Sequence, residues 1–250
     1  MEIIKWWTWL LLVSGIVAVV LLVSAPLGYK SGAFALAPSF ISLIIAVVTG
    51  FLVLLGSIVM GAVAIQAGLA KNRNLIIVAL VLGAVPVAFI GPQIIKARSV
   101  PAIHDISTDT SNPPQFDNVI VNLREAAHAA NSLKYGDGAP SVEAYARLQE
   151  KSYPNVKSLH TDLSVADAVV HARDVLSAQG LKIVHTDPQK GVVEAVATSS
   201  WFGFKDDVVV RVTPDESGTG SIVDVRSVSR VGVSDLGVNA RRIVSFLNAF

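Results

Sequence analysis

The sequence predicts a membrane α-helical protein: three transmembrane helices followed by an α+β domain. Three observations carry that expectation. Of 250 residues 52% are hydrophobic and only 16% charged, with mean hydropathy +0.57, against about 25% charged in soluble domains. The shortage of charge is local, because residues 1–95 hold only Glu2, Lys5, Lys30, Lys71 and Arg73 as charged side chains. Beyond Pro154, apolar residues alternate with polar ones at strand spacing and recur at helical spacing in two places. The two portions carry net charges of +3 and −2, and all five histidines lie in the second. With no cysteine, a disulfide scaffold and thiolate-ligated zinc or iron–sulfur centres are excluded. A slightly acidic polar portion argues against nucleic acid as a partner.

Residues Trp6–Leu27, Phe40–Ala67 and Leu75–Ile95 contain no charged side chain, and each reaches the ~20 residues that a membrane-spanning helix needs. The first is read as an uncleaved anchor. Its apolar run exceeds a signal-peptide core, Pro26 follows the small-residue stretch Val23-Ser24-Ala25, and Trp6, Trp7 and Trp9 suit an interfacial belt beside Lys5. Ser57, Gly61, Ala64 and Gly68 form one small-residue face in the second span, suited to packing within the bundle. Lys71-Asn72-Arg73-Asn74 is expected to be a tight hairpin, Pro86 to kink the third span and Gly91-Pro92 to weaken its end. No span carries an internal Asp, Glu, Lys, Arg or His, so an ion path is not expected. The amino group, Lys5, Lys71 and Arg73 on one side nearly balance Lys30, Lys96 and Arg98 on the other; the compact hairpin is expected in the cytoplasm, which puts the amino terminus there and the polar domain outside.

The expected division is residues 1–95 as anchor, 96–116 as an extended linker wrapping the domain, and 117–250 as the α+β domain. Helices are expected over Asp117–Leu133 and Val142–Lys151, and a short strand over Val156–His160. Ser164 with Asp167 starts a helix striped by Val165, Val169, Ala172 and Leu176, which Gly180 ends. Strands follow at Leu181–Thr186, Val192–Thr198, Asp207–Thr213 and Ser221–Val228, separated by turn chemistry that includes Pro214 to Gly220. A last helix runs from about Ser234 to Ala249. The order β-α-β-β-β-β-α predicts a two-layer sandwich, an antiparallel sheet with its helices on one face. It resembles the half-repeat of TATA-binding-like folds, an analogy of fold alone. Alternation sends Glu194, Asp207, Arg211, Asp224 and Arg226 to the other face, expected to be a half-solvated, mixed-charge surface; a polar cleft roofed by residues 99–116 is the alternative.

His104-Asp105-Ile106-Ser107-Thr108-Asp109, Pro113-Pro114-Gln115-Phe116, Tyr153-Pro154, Gly203-Phe204-Lys205-Asp206-Asp207 and the stretch from Arg226 to Ile243 occur in order. Together they make residues 100–250 resemble a bacterial family catalogued as domain of unknown function 1499. His104 stands where asparagine is commoner in that family. The resemblance implies an envelope-associated bacterial domain and carries no activity with it.

Asp235, Asn239 and Arg242 fall at i, i+4 and i+7, with Ser227, Ser229 and Arg230 just before them. They read either as a capped helix with polar locks or as an anion site in which Arg226, Arg230 and Arg242 converge beside a helix N-terminus. A further reading pairs Asp105 and Asp109 with these arginines, pinning the linker to the domain. Asp207 joins the same polar cluster. His104, Asp105 and Asp109 offer hard metal ligands, but no HExxH occurs, so neither a metal nor a cofactor is expected. Gly232-Val233-Ser234-Asp235-Leu236 lacks the second glycine of a nucleophile elbow. Trp201, Phe202 and Phe204 make an aromatic turn, read as a core plug or as a membrane or ligand contact.

The reading that follows is an inner-membrane protein with a non-catalytic periplasmic domain, its partners the lipid bilayer and an envelope protein or anionic ligand. The alternative is an envelope hydrolase or anion-binding domain that uses the Asp/Arg cluster.

Overall fold

In the computed structural model, residues 3–216 and 218–250 are described. Glu2, weighed in the charge count, and Ser217 of the Pro214–Gly220 turn lie outside them. The chain divides into two units, one of Met1–Lys96 with Trp201–Gly203, the other of Ala97–Ser200 with Phe204–Phe250.

Three helices dominate the first unit: α1 (Trp6–Lys30), α2 (Leu36–Gln66) and α3 (Ala70–Ser99). All are long and apolar enough to cross a membrane. Glycine sets how closely α2 and α3 approach. A Cβ on Gly83 would lie 2.7 Å from the Gly50 carbonyl oxygen, and one on Gly50 would lie 2.5 Å from Pro86 Cγ. Pro86 and Pro92 sit inside a helix that continues past both to Ser99. The Lys71–Asn74 hairpin is corrected. The turn falls at Ala67–Leu69, and Lys71–Asn74 belong to the start of α3. Asn72 is placed there for a physical reason. Its buried amide oxygen accepts from the Lys5 N–H and the Thr8 hydroxyl, both at 2.8 Å, and its Nδ2 donates to the Ile3 carbonyl at 3.2 Å. It thereby satisfies orphan groups at the start of α1. Phe202 belongs to this unit, its ring stacked on Phe40 at 5.8 Å between centroids.

The second unit is a six-stranded antiparallel sheet in the order β1-β6-β5-β4-β3, with β2 also on β6. Its strands are β1 (Asp105–Ser107), β2 (Leu159–Thr161), β3 (Lys182–Asp187), β4 (Val192–Thr198), β5 (Lys205–Pro214) and β6 (Ser221–Ser229). The helices are α4 (Asn118–Ala126), α5 (Val142–Ser152), α6 (Val165–Ala178) and α7 (Val238–Ala249). As the periodicity predicts, α6 and α7 pack on one face of the sheet. Val169, Ala172 and Leu176 of α6 and Ala240, Ile243 and Phe246 of α7 share one core with Val193, Val208, Val210, Val223 and Val225. Ser164 Oγ accepts from the Asp167 N–H at 3.2 Å, and Gly180 leaves the helix at φ +80°. Only glycine takes that backbone region at no steric cost.

Three local expectations change. Residues 105–107 are not linker but a strand on β6, with Asp105 opposite Val228 and Ser107 opposite Arg226. Helix α4 ends at Ala126 rather than Leu133. His128 has φ +49°, and Asn131 draws the chain away by donating to the carbonyls of Arg230, Ser229 and Gly232 at 2.9–3.0 Å. Helix α7 begins at Val238 rather than Ser234, because Leu236 and Gly237 both have positive φ.

The largest correction concerns the second face of the sheet. Alternation places Glu194, Asp207, Arg211, Asp224 and Arg226 there, and the register agrees, pairing Arg226 with Val209 and Val209 with Glu194. The face is not half-solvated. Glu194, Asp207, Asp224 and Arg226 are all buried, met by Arg124 of α4 and by the irregular chain at Thr108, Pro114, Asp117, Leu133 and Ser158. Alternation reports which side a residue takes and says nothing about what later covers it.

Candidate functional site

Strand β1 positions the first polar group. Three residues long and at the sheet edge, it would expose backbone donors and acceptors. Two side chains of α5 close that edge. Tyr145 Oη accepts from the Asp105 N–H at 3.1 Å and donates to the Asp105 carbonyl at 2.9 Å, and Gln149 serves Ser107 N–H and C=O at 3.0 and 2.8 Å. Burial, with Asp105 nearby, drives the Tyr145 hydroxyl's pKa well above its ordinary value, so it stays a neutral hydroxyl that can both donate and accept. Held in this way, Asp105 receives Arg226 bidentately, Nε to Oδ1 at 2.9 Å and Nη2 to Oδ2 at 2.7 Å. The remaining guanidinium donors reach the carbonyls of Pro114 and Leu133 at 3.0 and 2.6 Å, and Phe116 and Tyr135 stack their rings 5.5 and 5.7 Å from its centre. Arg226 is fully buried and surrounded by acceptors.

Asp207 on β5 anchors the second group. Arg230 meets it through Nε and Nη2, the latter at 2.6 Å, while Arg124 of α4 reaches Oδ2 at 2.6 Å. One carboxylate thus serves two guanidinium groups. A third network joins β6 to α7. Ser227 donates to Asn239 Oδ1 at 2.7 Å, and Asn239 Nδ2 donates to Ser229 Oγ at 2.9 Å and to the His104 carbonyl at 3.0 Å. Arg242 bonds Asn239 and Ser227 and pairs with Asp206 at 2.7 Å. Asp235 precedes the helix, its carboxylate accepting from the Gly237 and Asn239 N–H groups at 2.8 and 2.7 Å. Burial raises its pKa despite those two bonds.

The three arginines do not converge. Arg226 goes to Asp105, Arg230 to Asp207 and Arg242 to Asp206. Asp105 and Asp109 do not share a pocket either. Asp109 pairs with Arg211 at 2.9 Å, which also holds Asp224 at 2.8 Å. Ser158 and Thr108 donate to Asp224 as well, at 2.6 and 2.9 Å. Asp109, Arg211, Asp224 and Ser158 line a cleft of about 450 Å³ with Asn112 and His160. Arg124, Asp206 and Gln149 were not singled out in the sequence. Asp206 had a signal, since it neighbours Asp207 on a strand and so must face the opposite side. Arg124 and Gln149 look like ordinary polar positions of amphipathic helices. Among the described residues, no three His, Cys, Asp or Glu side chains are grouped to hold a metal ion.

Glu194 stands apart chemically. It is fully buried on β4, its Oε1 accepts from the Asp117 N–H at 2.6 Å, and its Oε2 has no partner. Burial, reinforced by the Asp117 and Asp207 charges, pushes its pKa up to about 7 from 4.5. His185 lies opposite it on β3 and approaches Asp117 at 3.3 Å. A carboxyl with a raised folded-state pKa binds its proton more tightly when folded, so its contribution is best at low pH and is lost as pH rises from about 4.5 through 7. Glu194→Gln keeps the acceptor for Asp117 and removes the charge. Its melting temperature is expected to match wild type at about pH 4 and to exceed it at about pH 8, by a free energy on the order of 3 kcal/mol. Equal melting curves at the higher pH would contradict a buried, ionised Glu194. Asp235, raised in the same sense, leaves a residual slope in both proteins.

These observations define a class: an α+β domain, its polar second face internally paired, behind three helices long and apolar enough to cross a membrane. More particularly, residues 105–250 match the family model described as "Protein of unknown function (DUF1499)", and the chain belongs to that family. No curated protein and no solved structure matches the chain.

Proposed function

We propose that the chain is a bacterial inner-membrane protein whose α+β domain lies in the periplasm and serves a non-catalytic structural or binding role in the envelope. One observation supports this above the others. Asp105, Asp207, Arg226 and Arg230, the side chains most suggestive of chemistry, are buried and engaged with one another. General acid–base or nucleophilic catalysis needs such groups within reach of a substrate cavity. The amino group with Lys5, Lys71 and Arg73 outnumbers Lys30, Lys96 and Arg98 on the other side by one charge, a narrow margin in favour of a cytoplasmic amino terminus, and three spans then carry the domain to the opposite side. The anion-binding alternative retains one feature in its favour, the cleft holding Asp109, Arg211, Asp224, Ser158 and His160.

The absence of native cysteine makes the layout directly testable. Asn74 and Glu150 are exposed. In intact cells, a membrane-impermeant maleimide that enters the periplasm is expected to label Glu150→Cys and leave Asn74→Cys untouched. Labelling of position 150 only after lysis would reverse the orientation.

A further inference from the structure

Between the end of α5 and α7 lies a cleft of about 580 Å³, within the ~300–1,000 Å³ range of small-ligand pockets. All of its lining residues belong to the second unit. Val100, Val156, Ala240 and Val244 supply apolar wall, and Tyr153 and Arg241 share the lining with Ser152, Asn155, Ser245 and Asn248. The Tyr153 hydroxyl is buried with no hydrogen-bond partner, which carries a desolvation cost that an incoming acceptor would relieve. Arg241 donates to the Leu236 carbonyl at 3.1 Å. Among the described residues it forms no ion pair with a carboxylate, whereas Arg124, Arg211, Arg226, Arg230 and Arg242 each have one. The two polar groups border the same spot. A Cβ on Gly237 would lie 3.2 Å from both Tyr153 Oη and Arg241 Nη1, so the two groups are neighbours that close in on the bare face of this glycine. Asp235 lies nearby, but its oxygens already accept from the Gly237 and Asn239 N–H groups.

A cleft with a valine and alanine wall, bordered by an unpaired guanidinium and an orphan hydroxyl, complements an anionic head on an apolar chain. We propose that this cleft binds one long-chain fatty acid, its carboxylate held by Arg241 and Tyr153 and its acyl chain along the valine wall. The volume suits one acyl chain rather than the two of a phospholipid. Val100 follows directly on Ser99, the last residue of α3, and a chain with three membrane-length helices resides where such amphiphiles partition. The site goes beyond the role proposed above and holds for either orientation of the domain.

The test uses the full chain in phosphatidylcholine nanodiscs, with empty nanodiscs as background and radiolabelled palmitate as probe. Saturable binding of one palmitate per chain is expected, with weak competition by hexadecanol, which has the chain without the charge. Arg241→Ala is expected to weaken binding about tenfold or more, since hydrogen bonds to charged groups are the strong ones. Tyr153→Phe is expected to weaken it severalfold while the ligand-free melting temperature stays level or rises, because an unsatisfied buried hydroxyl is removed. Arg241 is exposed, so its replacement tests the site without unfolding it. The proposal fails if palmitate shows no saturable component above empty discs, if Arg241→Ala binds as wild type does, or if phosphatidylglycerol displaces palmitate and so identifies a phospholipid site. Failure would leave the buried pairs of the second face, and the role proposed from them, untouched.

Discussion

Asp105→Ala is expected to cost the domain about 3–5 kcal/mol, the usual penalty for stranding one member of a buried ion pair. Arg226 is fully buried and takes both of its Asp105 contacts in bidentate geometry. Without the carboxylate, its charge faces only the Pro114 and Leu133 carbonyls and two aromatic rings. Those dipoles do not replace a full counter-charge. The effect extends to β1, because Asp105 is the residue whose backbone Tyr145 holds from α5. Denaturant titration of the solubilised chain, followed by tyrosine fluorescence, would measure it. The pair itself is a different quantity from the penalty for breaking it. An Asp105→Leu, Arg226→Met double variant removes both charges and is expected to recover a substantial part of the loss. A single variant as stable as wild type would mean that Arg226 reaches water, contrary to its burial.

The sequence made the architecture legible wherever one physical rule acted alone. Membrane-length apolar stretches report themselves by length, and alternation in β4, β5 and β6 separates Glu194, Asp207, Asp224 and Arg226 from the helix-covered core without knowledge of the topology. The readings weakened where two rules compete. Asp105-Ile106-Ser107 is too short for a periodicity signal, and its surroundings are turn-rich, so its pairing with β6 depends on partners far along the chain. Asn72 reads as a loop residue by composition, yet it is buried in α3 because the start of α1 needs acceptors and donors. Helix α4 stops early through Asn131, whose contacts lie about a hundred residues away.

The candidate site was legible as a set of residues and not as a set of partners. Asp105, Asp207, Arg226, Ser227, Ser229, Arg230, Asn239 and Arg242 all occur in hydrogen-bonded networks, but spacing along the chain could not assign Arg230 to Asp207 rather than to a ligand. That assignment depends on the β5–β6 register, which sets Asp206 opposite Ser229 and Asp207 opposite Val228. The proposed fatty-acid cleft is legible only in part: Tyr153 and Arg241 fall within the family-like elements, but nothing in their spacing brings them together beside Gly237.

Asp207→Asn is expected to be the most damaging conservative change in the domain, at least on the order of 5 kcal/mol. The substitution preserves shape, so no cavity contributes. What changes is that Arg124 and Arg230, both buried against the same carboxylate, lose a shared counter-charge and then repel each other. Two consequences separate this electrostatic account from a general loosening. Arg124→Ala should cost less in the Asp207→Asn background than in wild type, because it then removes an unpaired charge, and a double-mutant cycle would read the difference as coupling. Glu194 supplies the second readout. Its proton is held partly by the Asp207 charge, so loss of that charge beside two uncompensated arginines should lower its pKa and move the pH-dependent fall in stability toward higher acidity. An Asp207→Asn protein with the wild-type pH profile and additive Arg124 losses would show that the carboxylate acts by shape instead of charge.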